Sequence, residues 1–311
     1  MDELVNNDDG STSKSSSLLN LDKPNVLVIG QGDYHCLMPL GICLFLHKRD
    51  YLCNIKYYVG SDAGAILTLL LSMGFTPTDV AINLIKFAPL TQDFNPTNII
   101  TNHGLLGSDY IIKYLCNIIT EKKWARIPTL KQLYENTGNE LCLIGYEIGK
   151  GKICMNYKTY PDMPCTIAAT IAYIRPYIFC KIRYKGLDYM GGLISDPYPI
   201  EYYDDGKREI LGIFTHNNYK NDGKALSYFS SMITAPIQTL YKHIVGESGG
   251  NCSHIEAVSD KIDIIGVPIT KNERYEIINK GWKIAQGYYQ NLYPGPIHTI
   301  QPVEENEDEF V

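Results

Sequence analysis

Tyr58-Val59-Gly60-Ser61-Asp62-Ala63-Gly64-Ala65 is the stretch on which the fold turns. It leads from the strand-like segment Ile55 to Val59, through a corner of small residues, into Ala63 to Met73, which is apolar nearly all round. The pattern predicts a strand stopped by Gly60, a tight corner, and a helix buried against a sheet. Small residues on both sides of a corner expose its central side chain. That is the geometry of a nucleophile elbow, where the middle residue of G-x-S-x-G sits at a helix N-terminus. Taken alone, Gly60-x-x-x-Gly64 fits a purely structural glycine corner more readily.

Outward from the corner, strand-like and helix-like segments alternate. Asn25-Val26-Leu27-Val28-Ile29 is a short apolar run ending in Gly30-Gln31-Gly32, a buried strand entering a turn. Leu37 to Arg49 has apolar residues at helical spacing, and Gly74 is a natural stop for the helix after the corner. Thr76-Pro77-Thr78-Asp79 offers an N-cap, a proline at the first helical position and an acid in the first turn. Thr129-Leu130-Lys131-Gln132 and Thr270-Lys271-Asn272-Glu273 both fit the capping box. Further strands are expected at Leu141 to Tyr146, Ile153 to Tyr157 and Phe179 to Tyr184. Such alternation predicts an α/β fold, with a central, mainly parallel sheet and helices on both faces.

Composition narrows the function classes. The 311 residues are 45% hydrophobic and 20% charged, which suits a globular chain and excludes collagen, coiled coil and wholesale disorder. A formal net charge of −6 argues against nucleic acid as a partner. The longest apolar run, Ala63 to Met73, is too short to span a bilayer, so no transmembrane segment is expected. Residues 1–23 are acidic and serine-rich rather than a secretory signal, and are expected to form a disordered tail. Residues 293–311 carry three prolines and an acidic run and are expected to form an acidic tail, leaving 24–292 as the folded domain. Nine cysteines without CxxC pairs are read as reduced thiols, consistent with an intracellular, cytoplasmic protein. No internal repeat, metal cluster, P-loop or dinucleotide fingerprint is found.

A second loop, Tyr189-Met190-Gly191-Gly192-Leu193-Ile194-Ser195-Asp196-Pro197-Tyr198-Pro199-Ile200, pairs two glycines with a proline-rich stretch and reads as a tight, fixed turn. Together with the corner, with Met73-Gly74-Phe75-Thr76-Pro77 after it, and with the segment Asp162 to Pro176, it resembles the patatin-like phospholipase family. The resemblance runs from about residue 24 to 290. Asp263 to Gln290 is similar to the C-terminal helix of patatin-like proteins from bacteria and large DNA viruses. It implies a three-layer patatin-like fold and hydrolysis of lipid acyl esters by a Ser-Asp dyad, without metal or other cofactor.

Carried over position by position, that chemistry is damaged. Gly60 and Gly64 keep the elbow, but its centre is Asp62 where the family has serine. Gly191 and Gly192 keep the Asp-Gly-Gly loop, but Met190 stands where the family has aspartate and cannot take a proton. The family's oxyanion loop is approximately Gly-Gly-Gly-x-Arg/Lys-Gly. Here the register reads Gln31-Gly32-Asp33-Tyr34-His35-Cys36, with one of four glycines left, and Asp33 would oppose a developing oxyanion. Each oxyanion donor is worth on the order of 3–4 kcal/mol, so the loss would cripple acyl transfer. The substitutions also fit one another. Asp62 at a helix start is favoured by the dipole, and Met190 beside it would remove the conflict of two carboxylates in one pocket.

Ser61 is the fallback nucleophile if the corner is shifted; its plainer role is a helix cap. His35 replaces the family's basic residue. His254 and Glu256 share one strand face but nothing ties it to the elbow, and Asp188 and Asp196, which flank Met190, could act as base only in a rearranged loop. The expectation is therefore a patatin-like pseudoenzyme kept for binding or assembly. The alternatives are a working lipid acyl hydrolase and a structural component of a viral particle, the latter placing the chain in the virion. The 24 tyrosines, against 8 phenylalanines, suit a surface for protein partners or self-association, though base composition of a genome could also produce them. Lipid is a conceivable ligand without intact chemistry to act on it.

Overall fold

The computed structural model describes residues 23–32, 36–86, 104–122, 124–217, 225–259 and 270–294. The two expected tails lie almost wholly outside these residues. Strand β1 (Val26–Ile29) leads to helix α1 (Leu37–Lys48), and β2 (Tyr57–Gly60) to α2 (Gly64–Ser72) and α3 (Pro77–Lys86). After β3 (Gly104–Leu106) come α4 (Asp109–Lys122), α5 (Leu130–Thr137), the hairpin β4 (Glu140–Glu147) and β5 (Gly151–Met155), and α6 (Cys165–Tyr173). Then follow β6 (Tyr177–Phe179), β7 (Ile182–Tyr184), β8 (Leu187–Gly191), β9 (Ile210–Asn217), α7 (Ala225–Glu247), β10 (Cys252–Ser259) and α8 (Lys271–Leu292).

The main sheet has the order β10-β9-β1-β2-β4-β8-β7, with β5 also on β4. From β10 to β4 the strands run parallel; β5 and β8 lie antiparallel to β4, and β7 antiparallel to β8. Alternation along each strand divides the core in two. Leu27 and Ile29 of β1 face a layer built from α1, α2, α6 and α8, whereas Val26 and Val28 face α7. This is the expected α/β layering. One edge of β4 exchanges partners along its length: Glu140 to Leu143 pair with β2 and Gly145 to Glu147 with β8, while β5 pairs with Leu143 to Glu147 on the other edge. Thus β2 leaves the sheet at Gly60, and the elbow rises where β8 takes over its edge of β4.

The helix starts read from the sequence are present. Thr129 and Thr270 form complete capping boxes with Gln132 and Glu273, and Asp79 Oδ2 accepts from the Thr76 N–H at 2.9 Å. Gly74, with φ 84°, ends α2. Helix α8 clamps α1 through small residues: a Cβ on Gly41 would lie 2.0 Å from the Ile278 carbonyl oxygen, and one on Gly281 2.1 Å from that of Met38. Beside this crossing the buried Trp282 meets Phe45 edge-on, with ring centroids 5.2 Å apart.

Three expectations need correction. The single strand expected at Phe179 to Tyr184 is broken, because β6 joins β3 in a separate two-stranded sheet while β7 joins the main one. Not every cysteine is a reduced thiol: Cys142 and Cys154, diagonal neighbours on β4 and β5 with Cα atoms 5.9 Å apart, are joined as a disulfide. Helix α7 was not foreseen, since Pro236 lies inside it. Among the described residues, no helix is long and apolar enough to cross a membrane.

Candidate functional site

The corner after β2 is an elbow. Asp62 at its centre has φ 53°, in the left-handed region that costs a non-glycine residue roughly 1–3 kcal/mol. Both flanking glycines are obligatory for steric reasons. A Cβ on Gly60 would sit 2.2 Å from Thr68 Oγ1, and one on Gly64 2.1 Å from the Ile29 carbonyl oxygen. The strained backbone is tied down by neighbours: the Asp62 N–H donates to the Ala172 carbonyl at 3.1 Å, and the Ser61 N–H to that of Ile29 at 3.1 Å.

The Asp62 carboxylate, fully buried, is gripped by Arg175, whose side chain is 12% exposed. Arg175 Nε donates to Oδ1 at 2.7 Å and Nη2 to Oδ2 at 2.8 Å, a bidentate fork. Nη2 also donates to the Gly32 carbonyl at 2.9 Å, and the Gly32 N–H approaches Oδ2 at 3.4 Å. One guanidinium therefore binds the elbow to the loop after β1. Arg175 reaches this position because α6 ends at Tyr173 and Ile174 is extended, with ψ 123°. Pro176 disfavours helix for the residue before it, so Arg175 leaves the helix axis and turns toward the elbow.

Ser61 does not stand at the mouth of the corner. It is fully buried, and its hydroxyl donates to the Asp196 carbonyl at 2.8 Å. Nor does it cap α2, whose N-cap is Ala63 without a side-chain bond. Gly191 and Gly192 are fixed by packing: a Cβ on the first would lie 2.0 Å from the Ile174 carbonyl oxygen, and on the second 2.6 Å from Ile144 Cγ2. Met190 is half-buried and pairs with Tyr146, one step out of phase with the Gly191–Gly145 pair. Because Gly145 and Gly191 both abut α6 and the turn after it, strand alternation puts Met190 on the opposite face. The side-chain partner of Asp62 is Arg175.

Of the loop after β1, Gln31 is buried, with its N–H donating to the Pro197 carbonyl at 2.8 Å. Gly32 sits against Asp62, while Asp33 and His35 lie outside the described residues. The rival acids and bases are engaged elsewhere. Asp188 pairs with Lys181 at 2.6 Å and Arg183 at 3.6 Å. Asp196 pairs with Lys152 at 3.1 Å, and burial raises its carboxyl above the ordinary carboxylate value, with Lys152 opposing. His254 bridges the Tyr198 hydroxyl and Ser248 Oγ, each at 2.9 Å, and burial lowers its imidazole value. Glu256 faces His216 at 3.1 Å. None of these forms a triad with the elbow. Among the described residues, no group of three or more His, Cys, Asp or Glu side chains could hold a metal ion.

Comparison with known proteins gives the elbow its context. Over 154 residues the chain is 30% identical to the probable lipid hydrolase 463L of Invertebrate iridescent virus 6, a match covering 48% of this chain and 53% of that protein. The match thus spans about half the length of that relative. The structure of VipD from Legionella pneumophila superposes with a TM-score of 0.51 at 14% identity, over 86% of this chain and 67% of VipD. The fold is patatin-like. The type III effector protein ExoU also matches, with a TM-score of 0.49 at 16% identity, over 87% of this chain and 53% of ExoU. No family model matches the chain. On the patatin-like frame, the one site residue that sequence reasoning passed over is Arg175. Its signal was an arginine interrupting the apolar Ile174-Pro176 shoulder, a charge where a buried turn calls for none.

Proposed function

We propose that this chain is a patatin-like pseudoenzyme: the fold is kept for binding or assembly, and its elbow turns over no acyl ester. The observation that carries this reading is the bidentate grip of Arg175 on Asp62. A carboxylate nucleophile must present a lone pair in line with an ester carbonyl. Here both carboxylate oxygens are held by a guanidinium inside a buried corner, and the Gly32 carbonyl that would border an oxyanion accepts from the same group. A carbonyl oxygen pointed into that region opposes negative charge rather than stabilising it. Neither Asp62 nor Met190 supplies the hydroxyl and base of a Ser-Asp dyad.

The second reading is a lipid acyl hydrolase, favoured by the similarity to a protein named as a probable lipid hydrolase. It would have to use Ser61, whose hydroxyl donates to a backbone carbonyl away from the elbow centre. Treatment with a fluorophosphonate probe separates the two. The pseudoenzyme stays unlabelled, whereas stoichiometric labelling that Ser61→Ala abolishes would establish the hydrolase.

A further inference from the structure

A cavity of about 230 Å³ opens at the amino end of β2, whereas the elbow stands at its carboxyl end. Leu27 and Tyr58, paired neighbours on β1 and β2, line it together with Leu52, Ile55, Leu71 and Phe75. Helix α2, nine residues and roughly 13 Å long, separates it from the elbow.

Two helices end at this cavity in the same way. After α2 the Gly74 N–H donates to the Leu71 carbonyl at 2.9 Å, and the Phe75 N–H to that of Leu70 at 3.1 Å. After α1 the Asp50 N–H donates to the His47 carbonyl at 2.9 Å, and the Tyr51 N–H to that of Leu46 at 3.0 Å. Such a closure needs one residue in the left-handed region, and glycine is the usual choice. At α2 it is Gly74, with φ 84°; at α1 it is Asp50, with φ 53°. Aspartate there is unfavourable twice over, through its strained backbone and through a negative charge beside a helix C-terminus. Nothing compensates it: the Asp50 carboxylate has no ion pair among the described residues, and it lines the cavity. The neighbouring cations are turned elsewhere. Lys48 lies over the Trp282 ring at 5.1 Å, Arg49 over that of Tyr289 at 5.7 Å, and Lys23 reaches Cys53 Sγ at 3.6 Å.

Tyr58 supplies a second polar group. It is 9% exposed, and its hydroxyl makes no hydrogen bond among the described residues. Burial, with Cys43 beside it, pushes this phenol up to about 12, so it stays neutral and keeps oxygen lone pairs to offer.

We propose that this cavity binds a small organic ammonium ion, a primary amine on an apolar or aromatic body, with its charge on the Asp50 carboxylate and the Tyr58 hydroxyl as a second polar contact. The size fits: an apolar cavity of about 150 Å³ holds benzene, so this one takes a body of roughly ten heavy atoms. The two helix C-termini carry partial negative charge and favour a cation over an anion. A carboxylate where glycine would serve the fold better is then kept for the ligand, at a cost in stability. Binding here is independent of the state of the elbow.

Isothermal titration calorimetry of the full chain tests this with phenethylamine, tryptamine and cyclohexylmethylamine. At low ionic strength at least one amine should bind saturably with a Kd below about 1 mM, and the alcohol of the same shape about tenfold more weakly. Asp50→Asn should weaken the amine about tenfold and leave the alcohol unchanged. The same variant should melt at or above the parent's temperature, because asparagine suits the left-handed position and places no charge against the helix end. Tyr58→Phe should weaken binding severalfold. Absence of saturable binding by all three amines overturns the proposal, as does equal binding of amine and alcohol or parent-like affinity in Asp50→Asn. A lower melting temperature in Asp50→Asn would make the carboxylate a structural group and overturn it as well.

Discussion

Asp62 combines two features that are each costly and together make sense: a left-handed backbone and a buried charge. Removing one partner of a buried, hydrogen-bonded pair costs about 3–5 kcal/mol, because the other charge stays behind. Asp62→Asn and Arg175→Met should therefore each destabilise by about 3 kcal/mol, and the double variant by clearly less than their sum. Urea unfolding of the four proteins at pH 7.5 checks this; additive losses would mean that the pair is not coupled. Sequence reading reached Asp62 through its two glycines, but a helix start alone was invoked to explain it. The partner is 113 positions away and joined only by the fold, which local spacing cannot reveal.

At the scale of elements, local signals were read well where they are local. Two capping boxes, a φ-positive glycine stop and the strand–corner–helix unit all announced themselves. Register was less legible. Counting along the Gly-Gly loop gives Met190 a place in the chain, while pairing with Tyr146 decides which face it sees. A single step along a strand reverses that face. Asp62→Ser with Met190→Asp should hence show no ester hydrolysis above background, and Met190→Asp alone should cost only about 1 kcal/mol. Detectable turnover by the double variant would show that residue 190 reaches the elbow. His254 gives β10 a pH signature. Burial lowers its imidazole value below the unfolded one, so the folded state binds fewer protons. The stability it contributes is full above the unfolded value of about 6.5 and is lost as pH falls from there through the folded value. Thermal melts at pH 7.5 and 5.5 should show a loss on acidification that is smaller in His254→Gln.

At the scale of the molecule, the layers hold the elbow in place. Helix α8, brought by its glycine crossing onto α1, braces the helix that follows the loop after β1, and α6 delivers Arg175. Gly41→Ala should force these helices apart and cost about 1–3 kcal/mol by overpacking, measured as a fall in urea midpoint. The fold was legible because layering follows from hydrophobic alternation; the state of the site was not, because it depends on which side chains meet. The direct test is fatty-acid release from phospholipid vesicles and from short-chain esters by the purified chain, with Ser61→Ala beside it. The ion-paired elbow predicts release at background for both proteins on every substrate. Sustained multiple turnover by the parent chain, lost in Ser61→Ala or in Asp62→Asn, would contradict it.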